Sequence, residues 1–192
     1  MDAAATASRR LAEADSAFAR ADWEAARALY AAALEAEPSA EALDGLGWAL
    51  WWLGQNEPAF EFLTRAFSEY RRRGDRERAD YIVVFVAAEF RIAGNASVGQ
   101  GWLGRTRRLL DGLPECSSHA WFEIELSKRA EDPQDEERHA RSALEIARRL
   151  DDPSLEVTAL SHVGLALITR GAVDVGLAYL DESMAAATGG EA

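Results

Sequence analysis

Leu43, Leu46, Gly47 and Leu50 stand at the three- and four-residue spacing that brings side chains onto one face of a helix. Upstream, Ala26, Tyr30, Ala33 and Pro38 form another such run, and Ala59, Leu63, Ala66 and Arg71 repeat its spacing at an offset of 33 residues. Repetition at such a period is the signature of stacked helical units and outranks any reading of single helices. The same pattern fits Val83, Val86, Ala87 and Phe90 followed by Gly99, Leu103 and Thr106. It fits again at Leu160, Val163, Gly164 and Leu167 followed by Gly176, Leu180 and Ser183. A weaker unit keeps Ala140, Leu144 and Ala147 with a nearby Pro153, but has Ser127 and Lys128 where a leucine and a small residue belong.

Turn signals separate these runs. Ala21-Asp22, Gly54-Gln55-Asn56, Gly94-Asn95, Asp132-Pro133 and Arg170-Gly171 fall within the pairs, where a glycine or proline ends one helix and a polar cap starts the next. Pro38, Gly74-Asp75, Gly112-Leu113-Pro114 and Asp151-Asp152-Pro153 fall between pairs. Small residues at the repeated Gly and Ala positions let two antiparallel helices approach closely, and larger residues fill the space between them. One pair alone cannot bury its apolar face, so neighbours must stack and the terminal helices must be more polar outside. The first helix, with Arg9, Arg10, Glu13 and Arg20 among alanines, suits such a cap.

The spacing of large residue, leucine, glycine and aromatic, then alanine, aromatic, alanine and proline, resembles the tetratricopeptide repeat (TPR). That resemblance implies an all-α, right-handed TPR-like α-solenoid of about five antiparallel helix pairs. It places the repeats at about 7–39, 40–73, 76–111, 117–150 and 155–187 of one domain, with 188–192 a flexible tail.

Composition agrees with helix, since alanine and leucine are abundant and hydrophobic residues make up 48% of the 192 residues. Charge narrows the partners. With 33 acidic against 21 basic side chains, the net charge of −12 repels phosphate backbones, so direct nucleic-acid binding by this segment is not expected. Cys116 is the sole cysteine, which rules out an intramolecular disulfide and a thiolate metal cluster. No run of about 18 apolar residues is present. The expectation is a cytoplasmic protein with no membrane association.

Chemistry is thinly represented. His119, His139 and His162 are separated by whole helices and hold no metal-ligand spacing, so neither a metal nor a catalytic role is expected. His162 reads as a core or groove residue. No phosphate-cradling glycine motif occurs, and no cofactor is expected. Cys116, beside Pro114 and Glu115, reads as an inert thiol in a loop with an acidic neighbour that disfavours a thiolate. The arginines at 71–73, 76 and 78 are interleaved with Glu69, Asp75, Glu77 and Asp80, and read as solvated helix ends.

The aromatic residues are the more informative set. Trp48, Trp51 and Trp52 lie within five residues, and successive helical positions turn by about 100°, so they cannot all face the core. In TPR proteins the first helix of each pair lines a concave groove. Carried over to this sequence, the inward positions are Asp44, Trp48 and Trp51, with Trp52 adjacent; then Tyr81, Val84 and Ala88; then Phe122, Glu125 and Arg129; then Ser161, Leu165 and Ile168. Trp48 or Trp51 is the expected anchor. A clamp for a terminal carboxylate, which such domains build from Lys, Asn and Arg, is not expected, because Leu11, Asp15, Asp44 and Trp48 stand at its positions.

Segments 42–54, 101–110 and 164–187 are also similar to the helical sensor region of actinobacterial LuxR-type transcriptional regulators. In that family the repeats precede a helix-turn-helix, and no basic recognition helix occurs within these residues. The resemblance implies a non-catalytic, partner- or effector-sensing part of a bacterial transcriptional regulator, without its DNA-binding domain. The alternative is a stand-alone adaptor holding a peptide or helix of a protein partner.

Overall fold

The computed structural model describes residues 3–92 and 96–190, with side chains described for 8–90 and 97–190. Those residues form ten helices: α1 (Ala3–Ala19), α2 (Trp23–Ala36), α3 (Ala40–Trp52), α4 (Asn56–Arg73), α5 (Arg76–Ile92), α6 (Ala96–Leu110), α7 (Ser117–Ser127), α8 (Pro133–Leu150), α9 (Pro153–Thr169) and α10 (Val173–Gly189). The contacts divide the chain into two compact units, Met1–Phe90 and Arg91–Ala192.

Helix starts are set by short polar side chains that accept from otherwise unpaired first-turn amides. Asp22 accepts from the Ala25 N–H at 3.2 Å, Ser39 from Ala42 at 3.2 Å, and Asp152 from Leu155 at 3.0 Å. Pro133 and Pro153 open α8 and α9, where a missing N–H removes nothing the helix needs. At the other ends, Gly74 closes α4 in the left-handed region at φ 82°. Ala21 (φ 58°) and Asp151 (φ 54°) adopt that conformation without being glycine. The turn signal at Gly94-Asn95 lies outside the described residues.

In the first unit, Ala26, Tyr30, Ala33, Leu46, Leu50, Ala59 and Leu63 are buried where α1 packs on α2 and α3 on α4. A methyl group at Gly47 would lie 2.7 Å from Leu63 Cγ, so close approach of α3 and α4 depends on its absence. In the second unit, Ala120, Ile124, Ala140, Leu144, Ala147, Leu155, Leu160, Val163 and Leu167 form one core across α7, α8 and α9. Its final pair is the tightest. A methyl group at Gly164 would meet the Gly176 carbonyl oxygen at 2.8 Å, and one at Gly176 would meet the Gly164 oxygen at 2.6 Å.

The weak fourth unit has a structural cause. Its helices α7 and α8 are joined by five residues, 128–132, whereas residues 53–55 and 170–172 suffice in the second and fifth pairs. Ser127 therefore ends α7 and donates from Oγ to the Glu136 carbonyl at 3.0 Å, and Lys128 caps the helix. At the C-terminal end, α10 continues through Thr188 and Gly189, two residues assigned above to the tail.

Candidate functional site

Residues 44, 48 and 51 follow one another at four and three positions along α3, and residues 78, 81, 85 and 88 do the same along α5. These faces meet. The Trp48 ring centroid lies 4.3 Å from Phe85, 5.6 Å from Tyr81 and 6.1 Å from Trp51, and Trp51 packs edge-on to Phe85 at 5.1 Å. From Trp51 the contacts continue to Trp52 at 4.8 Å, from Trp52 to a parallel stack on Trp23 at 5.0 Å, and from Trp23 to Phe18 at 4.9 Å. Seven rings from four helices thus form a continuous series. Trp48, Trp51, Tyr81 and Phe85 are half-buried, and Trp52 is 51% exposed. Edge-to-face pairs contribute about 0.5–1.5 kcal/mol each beyond burial, so the series is a firm surface whose rings are held before any ligand arrives.

One turn before Trp48 lies a buried charge. Asp44 is only 2% exposed; its Oδ2 accepts from Arg78 Nε at 2.6 Å and from the Tyr70 hydroxyl at 3.2 Å. Burial pushes the Asp44 carboxyl up, and the Arg78 guanidinium pulls it back without restoring the ordinary value. Burial works against the charged form of Arg78, but the charge and hydrogen bond of Asp44, with a smaller contribution from Tyr70, outweigh it and hold the guanidinium more firmly protonated. The Trp48 indole N–H, one turn along, also favours the Asp44 carboxylate, yet neither Nε1 nor Asp44 Oδ1 completes a hydrogen bond of normal geometry. Arg78 also lies over the Tyr81 ring at 5.7 Å, which ties the ion pair to the aromatic face.

Each expected groove position has a definite place. Trp48, Trp51, Tyr81 and the half-buried Ala88 share the face just described, and Trp52 stands at its edge on the Trp23 stack. Asp44 is buried one turn from Trp48, and Val84 is buried in the core. The α5 face runs through Phe85 instead of Val84, so the carried-over register is one residue out at that position. In the second unit Phe122 and Glu125 are buried. Arg129 is in the α7–α8 turn, not on a helix face, because α7 ends early; its Nε donates back to Glu125 at 2.7 Å. Ser161 is half-buried and donates to the Thr158 carbonyl at 2.7 Å, Ile168 is half-buried, and Leu165 is exposed.

Among the described residues the other titratable side chains fall into separate local groups. His139 pairs with Glu123 at 2.6 Å, and His162 is held neutral by burial with its pKa brought down to about 4. Cys116 is not in mid-loop: it occupies the N-cap of α7, where its N–H donates to His119 Nδ1 at 3.3 Å. Its acidic neighbour Glu115 is engaged by Arg149 at 2.8 Å. Of the arginines at the α4–α5 junction, Arg72 pairs with Glu69, Arg73 with Glu41 and Arg78 with Asp44. Among the described residues no group of three or more His, Cys, Asp or Glu is placed to hold a metal ion, and no helix is long and apolar enough to cross a membrane.

No family model and no curated protein matches the sequence. Solved structures do match in fold. BtubC (BKLC) from P. vanneervenii superposes with a TM-score of 0.67 over 94% of this chain and 87% of that one, at 18% identity. TTC0263, a thermophilic TPR protein of Thermus thermophilus, superposes with a TM-score of 0.65 over 93% of this chain and 90% of that one, at 21% identity. The fold is therefore the all-α, TPR-like solenoid class that the helical spacing implies.

Proposed function

We propose that this protein is a non-catalytic binding scaffold that holds a peptide or helix of a protein partner against the aromatic face of α3 and α5. The observation that carries this reading is the half-buried set of Trp48, Trp51, Tyr81 and Phe85, braced by one another and by the Asp44–Arg78 pair. Large rigid aromatic side chains contribute much contact area at little entropic cost, and such anchors dominate binding energy at interfaces. Asp44 of α3 and Arg78 of α5 are engaged with one another, and the rings beside them are apolar, so recognition rests on shape and apolar contact.

The experiment is selection from a displayed peptide library with the purified chain as bait, followed by affinity measurement on Trp51→Ala and Tyr81→Ala. Loss of an anchor worth about 2 kcal/mol weakens binding by more than tenfold. Selected peptides that bind both variants as well as the parent would overturn the assignment. Circular dichroism controls for folding.

The finer reading places this scaffold in a bacterial transcriptional regulator as the part that senses a partner or small effector. What supports it is the likeness of segments 42–54, 101–110 and 164–187 to such sensor regions. Its mechanism would be a ligand-dependent preference between two packings of the helix pairs. A reporter whose output is unchanged by a selected high-affinity peptide would favour the stand-alone adaptor instead.

A further inference from the structure

Four of the seven large hydrophobic side chains exposed among the described residues belong to α10: Val173, Val175, Leu177 and Met184. At 100° per residue, Val173, Leu177 and Met184 fall within an arc of about 40°. They are 47%, 47% and 67% exposed. The packed face of α10 is elsewhere. Gly176 and Ser183 are buried, Tyr179 and Leu180 are half-buried, and Ser183 Oγ donates to the Val157 carbonyl of α9 at 2.9 Å. By the same helical geometry that face is centred about 90° from the stripe. On the stripe's other side stand Asp174 and Asp181, both exposed and without an ion-pair partner among the described residues. No lysine or arginine occurs from position 171 onward.

We propose that this stripe docks a basic amphipathic helix of a partner protein, at a site separate from the aromatic face of the first unit. The stripe from 173 to 184 is about 17 Å long, enough for three turns of a helix laying alternate apolar side chains between Val173, Leu177 and Met184. A contiguous apolar stripe left exposed among the described residues is the kind of surface that marks an interaction site. Charge selects the occupant. A second copy would set Asp174 and Asp181 against the same carboxylates and one −12 body against another, and phosphate-bearing surfaces are repelled in the same way. Lysines or arginines flanking an apolar ridge would answer both aspartates.

The test uses two synthetic amphipathic helical peptides with the same leucine ridge, one flanked by lysines and one by glutamates, followed by fluorescence anisotropy at low and high salt. The lysine-flanked peptide binds and weakens with salt. Leu177→Ser combined with Met184→Ser lowers its affinity at least tenfold, Asp174→Asn with Asp181→Asn lowers it several-fold, and Trp51→Ala leaves it unchanged. The serine substitutions are at exposed positions and keep the net charge, so folding and general attraction are retained. Failure of the lysine-flanked peptide to bind would overturn the proposal, as would equal binding of both peptides or undiminished binding to the serine double variant. A dimer by light scattering that the serine double variant abolishes would also overturn it, since the stripe would then belong to a second copy.

Discussion

Gly176→Ala is the sharpest probe of how the last helix pair is built. In the native packing, the added methyl carbon would lie 2.6 Å from the Gly164 carbonyl oxygen and 2.6 Å from Ile168 Cγ1, with the Ile168 nitrogen at 3.1 Å. Two of the three obstacles are α9 backbone atoms that no rotamer change removes. Ordinary contact is therefore regained only if α10 moves outward by several tenths of an ångström along its length. Overpacking of this kind costs about 1–3 kcal/mol. Against it stands the helix propensity of alanine over glycine, at most about 1 kcal/mol and smaller here because Gly176 is in the first turn of α10. A net loss of about 1–2 kcal/mol follows, equivalent to a Tm lower by about 2–8 °C in a chain of this size. The matched control is Gly101→Ala on α6, where the new methyl group meets no atom within 4 Å and the change stabilises by about 0.5–1 kcal/mol. Thermal melts followed by circular dichroism compare the two. Hydrogen exchange locates the Gly176→Ala effect in α9 and α10, because stacked repeats add their stabilities locally. Combining Gly164→Ala with Gly176→Ala costs less than the sum of the two, since one separation of the helices relieves both clashes. A Tm for Gly176→Ala equal to or above the parent's would refute the close-crossing argument.

Ala21→Gly relieves a left-handed alanine at φ 58° and raises stability by about 1 kcal/mol in urea titrations; a loss would show that the Ala21 methyl makes contacts outweighing the strain. His162 is kept neutral by burial, with the Lys128 ammonium as the smaller cause, and its pKa of about 4 lies below the ordinary 6.5. Because its folded pKa is depressed, the unfolded chain binds the extra proton first. Stability then falls as pH drops from about 6.5 to about 4, by up to about 3 kcal/mol. His162→Gln removes that component of the pH slope, and identical slopes for the two proteins between pH 7 and pH 4.5 would contradict it. Glu137 accepts from Arg141 Nε at 2.7 Å and pairs with Arg170 at the end of α9. Glu137→Ala is expected to destabilise the second unit by about 2 kcal/mol in denaturant titrations, since two guanidinium groups lose a nearly buried carboxylate.

The helices were legible because their causes are local. Asp22, Ser39 and Asp152 cap in the structure by accepting from amides within three residues, an arrangement that a sequence window contains whole. Gly47, Gly164 and Gly176 were legible for a different reason: repetition marked them as close-approach positions, and each faces an atom that a methyl group would strike. Legibility failed where one segment's length sets another's register. Carrying a template across α7 presumes a turn of fixed length, and the five-residue turn at 128–132 moved Arg129 off the helix and buried Glu125 against it.

The aromatic face exposes the same boundary from the functional side. Trp48, Trp51 and Tyr81 could be placed together because helical spacing and repeat period together specify which faces meet. Phe85 was missed by one position, although its four-residue distance from Tyr81 was a usable signal. Trp23 and Phe18 were missed for a stronger reason. They join the series through the first residue of α2 and the last turn of α1, and a stack such as Trp23 on Trp52 depends on how two helix termini abut, which no periodicity encodes. Asp44 makes the point energetically: at an inward template position it reads as a groove carboxylate, but Arg78, 34 residues away, reaches it together with Tyr70, and it is buried. A buried charge with a partner that distant in sequence ties α3 to α5, a role that no local spacing specifies.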